Sequence, residues 1–326
     1  MLRFLYNQFF VEPEPPSPST SFVDQVVIVT GANVGLGLEA ARSITRLGAS
    51  KVILAVRNVV AGEAARKSIE ESTGRRGTCE VWPLDLASYA SVIAFGRRVD
   101  ELSRLDVVLA NAAVATDRFQ IAEDHELSIT VNVISTVLLG LLVLPKMRDT
   151  VKRFPGNGTT KPKPHLTVVV SETHAFATFP EWRQDRILAA LDDEDNTSMW
   201  ERYPTSKLME VLAIRELVSR VRDDAVIINM VNPGLCHSQL TRNASWSMAV
   251  MKFFLARTTE VGSRTLVAGV AAGSESHGEY MSNGEVASQE LSAFVRRDDG
   301  QTAQKKIWKE LSEIFEAIQP GIMENL

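Results

Sequence analysis

Short apolar runs alternate along this chain with longer segments in which apolar residues recur at helical spacing. The runs predict strands at Val26–Thr30, Lys51–Val56, Glu80–Pro83, Val107–Asn111, Leu166–Ser171 and Val226–Val231. The longer segments predict helices at Gly37–Leu47, Val60–Ser72, Ala87–Leu102, His125–Met147 and Ser206–Val221. This alternation predicts a single α/β domain with a doubly wound parallel sheet and helices on both faces. Such a sheet binds ligands beyond the carboxyl ends of its strands.

The two ends of the chain depart from this pattern. Residues 1–21 combine an apolar stretch, Met1–Phe10, with a proline-rich segment, which predicts a short arm on a stiff tether. The apolar stretch is too short to cross a bilayer, so we expect the arm to pack on its own domain or on a second subunit. Contact with a membrane surface is the less favoured alternative. The domain is expected to span residues 22–320, with an amphipathic helix at Gln301–Ile318 and a tail at 321–326.

The composition is that of a globular protein with room for a large core: 326 residues, 45% hydrophobic and 23% charged. The net charge of -5 and the spread of lysines and arginines provide no basic surface for nucleic acid, which we exclude as a partner. Cys79 and Cys236 lie far apart and outside any metal-ligand pattern, so we expect a reducing, cytoplasmic location. The acidic run Leu191–Asp195 has no accompanying histidine ligands and predicts a solvated face, so no metal site is expected.

A glycine-rich turn, Thr30–Gly37, joins the first strand to the first helix. Gly31 would allow the tight turn, Gly35 the close approach of the backbone to a pyrophosphate, and Gly37 the close packing of helix on strand. The phosphate charge would then lie at a helix N-terminus. The spacing T-G-x-x-x-G-x-G differs from both G-x-G-x-x-G and the P-loop. The turn predicts a Rossmann-type dinucleotide site.

A tyrosine and a lysine stand four positions apart in Tyr203-Pro204-Thr205-Ser206-Lys207, at the start of a predicted helix. Side chains at i and i+4 lie on one helix face, so the ammonium group can lie near the phenol. A nearby cation lowers the pKa of a phenol from roughly 10 by about 1 to 3 units, toward the range of an acid/base catalyst. Taken alone, the pair also fits a tyrosine packed on the helix start beside a solvated lysine.

Several motifs together resemble a known family. They are Thr30–Gly37, Asn111-Ala112-Ala113, Asn132, Ser171, Tyr203–Lys207 and Asn232-Pro233-Gly234, in the order and rough spacing of the short-chain dehydrogenases/reductases. The resemblance extends from about Phe22 to Pro320. Within the family, the chain resembles the retinol-dehydrogenase-like and WW-domain-oxidoreductase-like branch. The turn Asn232–Ser238 resembles that of fungal members. The resemblance implies an oxidoreductase of CH-OH and C=O groups that uses a nicotinamide dinucleotide.

The resemblance also implies four catalytic residues. Tyr203 would donate the proton, and Ser171 would donate a hydrogen bond to the substrate oxygen. Lys207 would lower the pKa of Tyr203 and hold the nicotinamide ribose, while Asn132 would anchor a water that relays protons. Structural alternatives remain open for two of them: Ser171 could cap a turn, and Asn132 could satisfy a helix kink.

The residues expected to contact the cofactor lie at strand ends and on adjoining helices. They are Gly31, Asn33, Gly35, Leu36, Gly37, Arg57, Asp85, Leu86, Asn111, Ala112, Tyr203, Lys207, Pro233, Gly234 and Ser238. Arg57 follows the second strand, where enzymes that use NAD usually carry an acidic residue. A cation there can pair with a 2'-phosphate, which predicts NADP(H) in preference to NAD(H). By resemblance, Asp85 matches the acid that contacts adenine, and Ala113 stands where the family usually has glycine.

Two apolar segments are expected to decide the substrate, at residues 172–202 and 235–259. The first holds Phe176, Phe179, Trp182, Met199 and Trp200; the second holds Trp246, Met248, Met251, Phe253, Phe254 and Leu255. Such side chains suit a bulky, lipophilic substrate, and packing of the lid itself is an equally weighted alternative. His174 and His237 lie nearby in the chain, and packing or surface roles are favoured over a second acid.

The sequence therefore predicts an NADP(H)-dependent oxidoreductase. It would reduce a ketone, or oxidise a secondary alcohol, of a lipophilic small molecule in secondary metabolism. The alternative is a cofactor-binding member of the fold with a non-redox or regulatory role. A homo-oligomer is expected from the family, although the N-terminal arm and the C-terminal helix could cover the usual interfaces and leave a monomer.

Overall fold

The computed structural model of the protein describes residues 6–8, 10–154, 163–237 and 256–326. Two sets of predicted residues lie outside this range. They are Ser238 and the aromatic and methionine side chains from Trp246 to Leu255.

Eight strands form the central sheet in the described part of the chain. They are β1 (Val26–Thr30), β2 (Lys51–Val56), β3 (Cys79–Pro83), β4 (Val107–Ala110), β5 (His165–Val169), β6 (Ile227–Asn232), β7 (Tyr280–Ser282) and β8 (Glu285–Val286). The order across the sheet is β8-β7-β6-β5-β4-β1-β2-β3, and every neighbouring pair is parallel except β7 and β8. The order reverses between β1 and β4, where a ligand crevice opens in such sheets. The predicted doubly wound sheet is confirmed.

Helices cover both faces of the sheet. In chain order they are α1 (Gly35–Arg46), α2 (Val59–Thr73), α3 (Tyr89–Asp100), α4 (Leu127–Arg153), α5 (Ile187–Leu191), α6 (Met199–Arg220), α7 (Thr259–Val270) and α8 (Asp298–Ile318). Helices α1, α2 and α7 pack on one face, and α3, α4 and α6 pack on the other. Helix α8 lies against α6 as a further layer.

The alternation of side chains along β1 explains the two cores. Val27 and Val29 belong to the cluster under α1 and α7, whereas Ile28 belongs to the larger cluster under α4 and α6. All three side chains have no exposed surface. A strand buried on both faces needs a continuous apolar run, and this requirement made the central strands visible in the sequence.

The six predicted strands are present, with ends shifted by at most two residues. Helix α6, however, begins at Met199 and not at Ser206, because Pro204 is accommodated inside the helix. The proline removes one backbone donor, and burial of the helix from Thr205 through Ala213 offsets that loss. The predicted start of this helix was wrong, so Tyr203 lies within the helix and not at its first turn.

Helix α4 also differs from its prediction. It begins at Leu127, contains a π-helical turn at Thr130–Ser135 and continues to Arg153. By length and hydropathy this helix could cross a membrane, but 89% of its most apolar window is buried inside the domain. Helices α5 and α7 were not predicted. Strands β7 and β8 were also missed, because strands of three and two residues carry too little alternation to detect.

The described residues near both chain ends pack on the domain. In the N-terminal arm, Nη2 of Arg257 donates to the backbone oxygens of Asn7 (2.7 Å) and Val11 (2.6 Å). At the C-terminal end, Ile322–Asn325 forms a 3-10 turn, and Ile322 is buried. The described part of the arm therefore contacts its own domain, which is one of the two expected alternatives.

Candidate active site

The glycine turn leaves an open, uncapped helix N-terminus. Gly31 and Gly35 have φ angles of +66° and +65°, which glycine adopts without strain. A Cβ on Gly35 would meet no atom within 4 Å, whereas a Cβ on Gly37 would lie 2.5 Å from Nδ2 of Asn111. Val34 precedes α1 and provides no side-chain cap. Backbone N–H groups beside open space suit an anion such as a pyrophosphate.

Thr30 ties the carboxyl ends of β1 and β4 together beside this turn. Its Oγ1 accepts hydrogen bonds from the N–H groups of Asn111 (2.9 Å) and Ala112 (2.8 Å). In return, Nδ2 of Asn111 donates to the backbone oxygen of Thr30 (2.8 Å). These hydrogen bonds fix the two strand ends relative to each other at the point where the strand order reverses.

A cleft of about 190 Å³ opens beyond the ends of these strands. Its walls are Gly31, Asn33, Ala55, Val56, Arg57, Asn58, Leu84, Asp85, Leu86, Ala87, Ala112, Ala113, Val114 and Val131. Arg57 is exposed and, within the described residues, makes no hydrogen bond or ion pair. Oδ1 of Asp85 accepts from the N–H of Ala87 (3.0 Å) and shapes the turn after β3. The cleft brings together the residues expected at the adenosine end of a dinucleotide.

Ser171, two positions beyond the end of β5, is oriented as a hydrogen-bond donor. Its Oγ accepts from the N–H of Thr173 (3.2 Å) and from Oγ1 of Thr173 (3.0 Å). A hydroxyl that accepts two hydrogen bonds keeps its own hydrogen for a third partner. Its side chain lies beside the Tyr203 hydroxyl and lowers the pKa of that group. Ser171 therefore caps a turn and also faces the site, so the two interpretations of this residue are compatible.

Lys207 is buried below Tyr203. Its Nζ donates to the backbone oxygen of Val169 (2.9 Å) and to Oε2 of Glu210 (2.7 Å), and lies 6.0 Å from the centroid of the Tyr203 ring. An ammonium group has three hydrogens, so one remains for a ribose hydroxyl. Burial raises the pKa of Glu210 to about 7, against the opposing effect of Lys207.

Lys207 lowers the pKa of Tyr203 as expected, but the predicted net lowering was wrong, because burial outweighs the effect of the cation. Burial of the hydroxyl raises the pKa of Tyr203 above its ordinary value, and Lys207 and Ser171 only partly oppose that effect. Glu210 and Glu172 add negative charge and raise the pKa further. Sequence spacing identified the cation but neither the desolvation nor the two carboxyls.

Asn132 lies in the π-helical turn of α4 with its side chain fully buried. Its Oδ1 accepts from the N–H of Val114 (2.8 Å), and its Nδ2 donates to the oxygen of Val114 (2.9 Å) and to Oγ of Ser206 (3.0 Å). Ser206 in turn donates to the backbone oxygen of Tyr203 (2.8 Å). Asn132 thus clamps the segment after β4 against the tyrosine helix, and its role in anchoring a water stays a prediction.

The loop after β6 carries Pro233 and Gly234, and the latter has a φ of +74°. The backbone oxygen of Pro233 accepts from Nη1 of Arg257 (3.3 Å). A Cβ on Gly262 would lie 2.3 Å from Sγ of Cys236 and 2.8 Å from Cδ2 of Leu36. Helix α7 therefore brings this loop next to the glycine turn, as a nicotinamide site requires.

His174 has a structural role. Its Nε2 accepts from the N–H of Ser292 (3.1 Å), so Nδ1 carries the hydrogen and donates to the backbone oxygen of Ser171 (2.7 Å). Burial lowers the pKa of His174, and the side chain is 1% exposed. His237 is exposed. The packing and surface roles favoured for these histidines agree with the contacts.

The first predicted substrate segment divides into packed and exposed side chains. Phe179 is 1% exposed and Trp182 is partly buried, and both lie against Phe294, with ring centroids 6.3 and 5.9 Å away. Phe176 and Trp200 are 49% and 75% exposed. The packing interpretation is confirmed for Phe179 and Trp182, and the substrate-binding role of the exposed residues stays a prediction.

Comparison with known proteins identifies the family. The profile of the short chain dehydrogenase family matches residues 25–157. The chain is 44% identical over 333 aligned positions to the short chain dehydrogenase/reductase dmxR8 of Cryptosporiopsis sp., covering 99% of this chain and 100% of that protein. The chain belongs to the short-chain dehydrogenase/reductase family. It is also 41% identical to the short-chain dehydrogenase anuD of Penicillium roqueforti, over 98% of this chain and 84% of that protein.

Solved structures confirm the fold of this family member. A putative short chain dehydrogenase from Escherichia coli CFT073 complexed with NADPH gives a TM-score of 0.59 at 21% identity, over 82% of this chain and 99% of that one. The Pseudomonas aeruginosa RhlG/NADP active-site complex gives 0.60 at 19% identity, over 82% and 97%. As a short-chain dehydrogenase/reductase, the protein is an oxidoreductase that acts on CH-OH or C=O groups with a nicotinamide cofactor. The uncapped α1 N-terminus and the open space at Gly35 fit such a cofactor.

Four residues of this dehydrogenase/reductase site were missed in the sequence: Gln8, Glu172, Glu210 and Arg257. Glu210 lies three positions after Lys207, so the i,i+3 spacing of opposite charges was an available signal. Gln8 and Arg257 reach the site from distant parts of the chain, with 227 and 24 positions separating them from their partners Leu235 and Pro233. No local sequence pattern predicts such contacts.

Proposed function

We propose that this dehydrogenase/reductase is an NADP(H)-dependent enzyme that reduces a ketone, or oxidises a secondary alcohol, of a lipophilic small molecule in secondary metabolism. The observation that carries the proposal is the convergence of Ser171, Tyr203 and Lys207 beyond β5, beside the loop after β6. Ser171 retains a hydrogen to donate, and Lys207 lies beneath the tyrosine ring. This arrangement can protonate a carbonyl oxygen while holding it in place.

In the proposed reduction, Ser171 donates its hydrogen to the substrate oxygen, and Tyr203 delivers a proton to the same oxygen as negative charge develops there. Lys207, fixed by Val169 and Glu210, offers its remaining N–H to a ribose hydroxyl. The bound cofactor supplies the hydride in reduction and accepts it in oxidation. The oxidation of an alcohol uses the same residues, with Tyr203 as the base.

Arg57 supports the preference for NADP(H). It stands directly after β2, lines the cleft and makes no hydrogen bond or ion pair in the described part of the protein. A guanidinium group in that position can pair with a 2'-phosphate through two hydrogen bonds. The similar structures from Escherichia coli and Pseudomonas aeruginosa were solved with NADPH and NADP.

The substrate class is supported by the segment between Ser171 and Tyr203. Phe176 and Trp200 expose large apolar surfaces. Exposed apolar surface of this kind often marks a site that binds a ligand or a partner. An apolar molecule seated over the site would cover such surfaces.

The decisive test measures NADPH consumption at 340 nm by the purified protein with a panel of hydrophobic ketones, followed by identification of the product. Tyr203→Phe should lower kcat by at least about 100-fold while NADPH affinity stays near that of the wild type, because only the proton donor is lost. Tyr6→Phe, at a tyrosine that is 60% exposed, is the matched control and should retain full activity. Full turnover by Tyr203→Phe would refute the assignment. Binding of NADPH without consumption across the panel would favour the non-redox or regulatory alternative.

Assembly and location belong to the same proposal. We expect a homo-oligomer. The alternative is a monomer, since α8 packs along α6 and could cover the usual subunit interface. Light scattering on the full chain distinguishes the two. A cytoplasmic location is the expectation from the composition and stays a proposal.

A further inference from the structure

Lys207 and Glu210 form an ion pair deep inside the domain. Oε2 of Glu210 lies 2.7 Å from Nζ of Lys207, and the two side chains are 1% and 2% exposed. Water screens charges buried in this way much less than exposed ones, so each one acts strongly on its neighbours. The pair is neutral as a whole. Lys207 therefore acts on Tyr203 in combination with an equal and opposite charge.

The charged groups around the Tyr203 hydroxyl favour its protonated form. Lys207 and Glu210 lie on the same helix as Tyr203, and Glu172 approaches from the segment after β5. The π-helical turn that packs against α6, Thr130–Ser135, carries no ionisable side chain. One cation thus opposes two carboxyls and the burial of the hydroxyl itself, and the pKa of Tyr203 is raised.

Glu210 is ionised in the alkaline pH range in which Tyr203 loses its proton. Burial raises the pKa of Glu210 to about 7, so the group is ionised throughout the alkaline range in which a tyrosine loses its proton. Lys207 keeps its charge in the same range, because Glu210 raises the pKa of the ammonium group despite its burial.

We propose that Glu210 is a positioning residue that holds Lys207 and keeps Tyr203 protonated, so that this active site is set for carbonyl reduction. The inference rests on the proposed function. In reduction, hydride passes from NADPH to the carbonyl carbon and the Tyr203 proton passes to the carbonyl oxygen, leaving a tyrosinate that solvent reprotonates. Oxidation starts from the tyrosinate. Retention of the phenol proton therefore extends reduction to higher pH and confines oxidation to higher pH.

The test compares Glu210→Gln with the wild type in two ways. Glutamine keeps the size of the side chain and an oxygen for Lys207, but removes the negative charge. The alkaline limb of kcat/KM for reduction and the acidic limb for oxidation should both move to lower pH by about 1 unit or more. Independently of any substrate, the pKa of Tyr203 is measured by NMR of 13Cζ-labelled tyrosine, which is practical because the chain has only 4 tyrosines. Tyr203→Phe assigns the signal.

Glu216→Gln is the matched control. Glu216 lies on the same helix, is 5% exposed, and pairs with Arg220 (2.7 Å) and Gln304 (2.8 Å), not with Lys207. It should leave the Tyr203 signal and both pH profiles unchanged. If Glu210→Gln does not fold, Glu210→Asp retains the charge but withdraws it by one methylene, and Tyr203 should then titrate at lower pH than in the wild type.

The outcomes separate this inference from the proposed function. A Tyr203 signal that titrates at the same pH in folded wild type and Glu210→Gln, or that stays protonated in both over the whole folded range, overturns the role of Glu210. Retained turnover by Tyr203→Phe overturns the function instead. A shift of the Tyr203 signal and of both pH limbs in Glu210→Gln alone supports the proposal.

Discussion

Gln8 and Leu235 are joined by two hydrogen bonds across 227 positions of the chain. Nε2 of Gln8 donates to the backbone oxygen of Leu235 (2.8 Å), and the N–H of Leu235 donates to Oε1 of Gln8 (3.2 Å). Leu235 directly follows Pro233 and Gly234, in the loop assigned to the nicotinamide. The N-terminal arm therefore fixes a loop of the site, although it precedes the segment that matches the family profile.

We predict that Gln8→Glu damages cofactor binding more than Gln8→Ala does. Alanine removes both hydrogen bonds to Leu235, each worth about 0.5 to 1.5 kcal/mol, whereas a carboxylate also places negative charge against the Leu235 oxygen. NADPH affinity from fluorescence titration should fall by roughly 5- to 50-fold for Gln8→Glu. Glu12→Ala is the control, since it removes only an exposed ion pair with Arg264. Equal affinities for Gln8→Glu and the wild type would show that the arm does not support the loop.

Arg57→Ala should discriminate between the two cofactors. Loss of a charge-assisted contact to a 2'-phosphate costs about 1.5 to 3 kcal/mol, so KM for NADPH should rise by roughly 10- to 100-fold while KM for NADH changes little. Arg76→Ala is the control, because Arg76 is also exposed but precedes β3 and so lies at the amino end of the sheet. Equal effects on NADPH and NADH would point to a different phosphate contact.

Thr30→Val should show how much the hydrogen bonds of Thr30 contribute to stability and cofactor binding, apart from the volume of its side chain. Valine preserves the volume but leaves the N–H groups of Asn111 and Ala112 without their acceptor, a loss of about 2 to 4 kcal/mol in the free energy of unfolding. NADPH affinity should fall as well, because the two strand ends separate.

Thr150→Val provides the comparison for this variant. Thr150 is also buried and accepts from the N–H of Leu105 (2.7 Å), but Leu105 lies at the amino end of β4, away from the cleft. This variant should lose stability in urea titration and keep its NADPH affinity. A parallel loss of affinity in both variants would contradict a specific role for Thr30.

Glu172 should make stability depend on pH. Burial raises the pKa of Glu172 to about 7 from the ordinary value of 4.5, so the folded protein binds this proton more tightly than the unfolded chain does. The resulting stabilisation is complete below pH 4.5 and is lost as the pH rises through 7. Glu172→Gln should therefore reduce the fall in Tm over this range by about 2 to 4 °C.

The control for Glu172 is Glu313→Gln, at a carboxyl that is 47% exposed and paired with Arg186. It should leave the slope of Tm against pH unchanged. The remaining slope in Glu172→Gln reports other buried carboxyls, including Glu210, whose pKa is also raised to about 7. A slope identical to that of the wild type would count against a raised pKa for Glu172.

The sequence by itself determined the strands β1 to β6, the glycine turn and the order of the site residues. These features follow from local rules: a strand buried on both faces needs a continuous apolar run, and a left-handed turn needs glycine at Gly31 and Gly35. The spacing of Tyr203 and Lys207 likewise follows from the pitch of a helix.

Only the tertiary structure decided the electrostatics of the site and the contacts of the chain ends. Whether the pKa of Tyr203 rises or falls depends on burial and on Glu172 and Glu210, which the fold brings to the same hydroxyl. The bond between Gln8 and Leu235 depends on the closure of a loop of more than two hundred residues. Desolvation and long-range pairing are properties of the folded molecule, and no short stretch of sequence contains them.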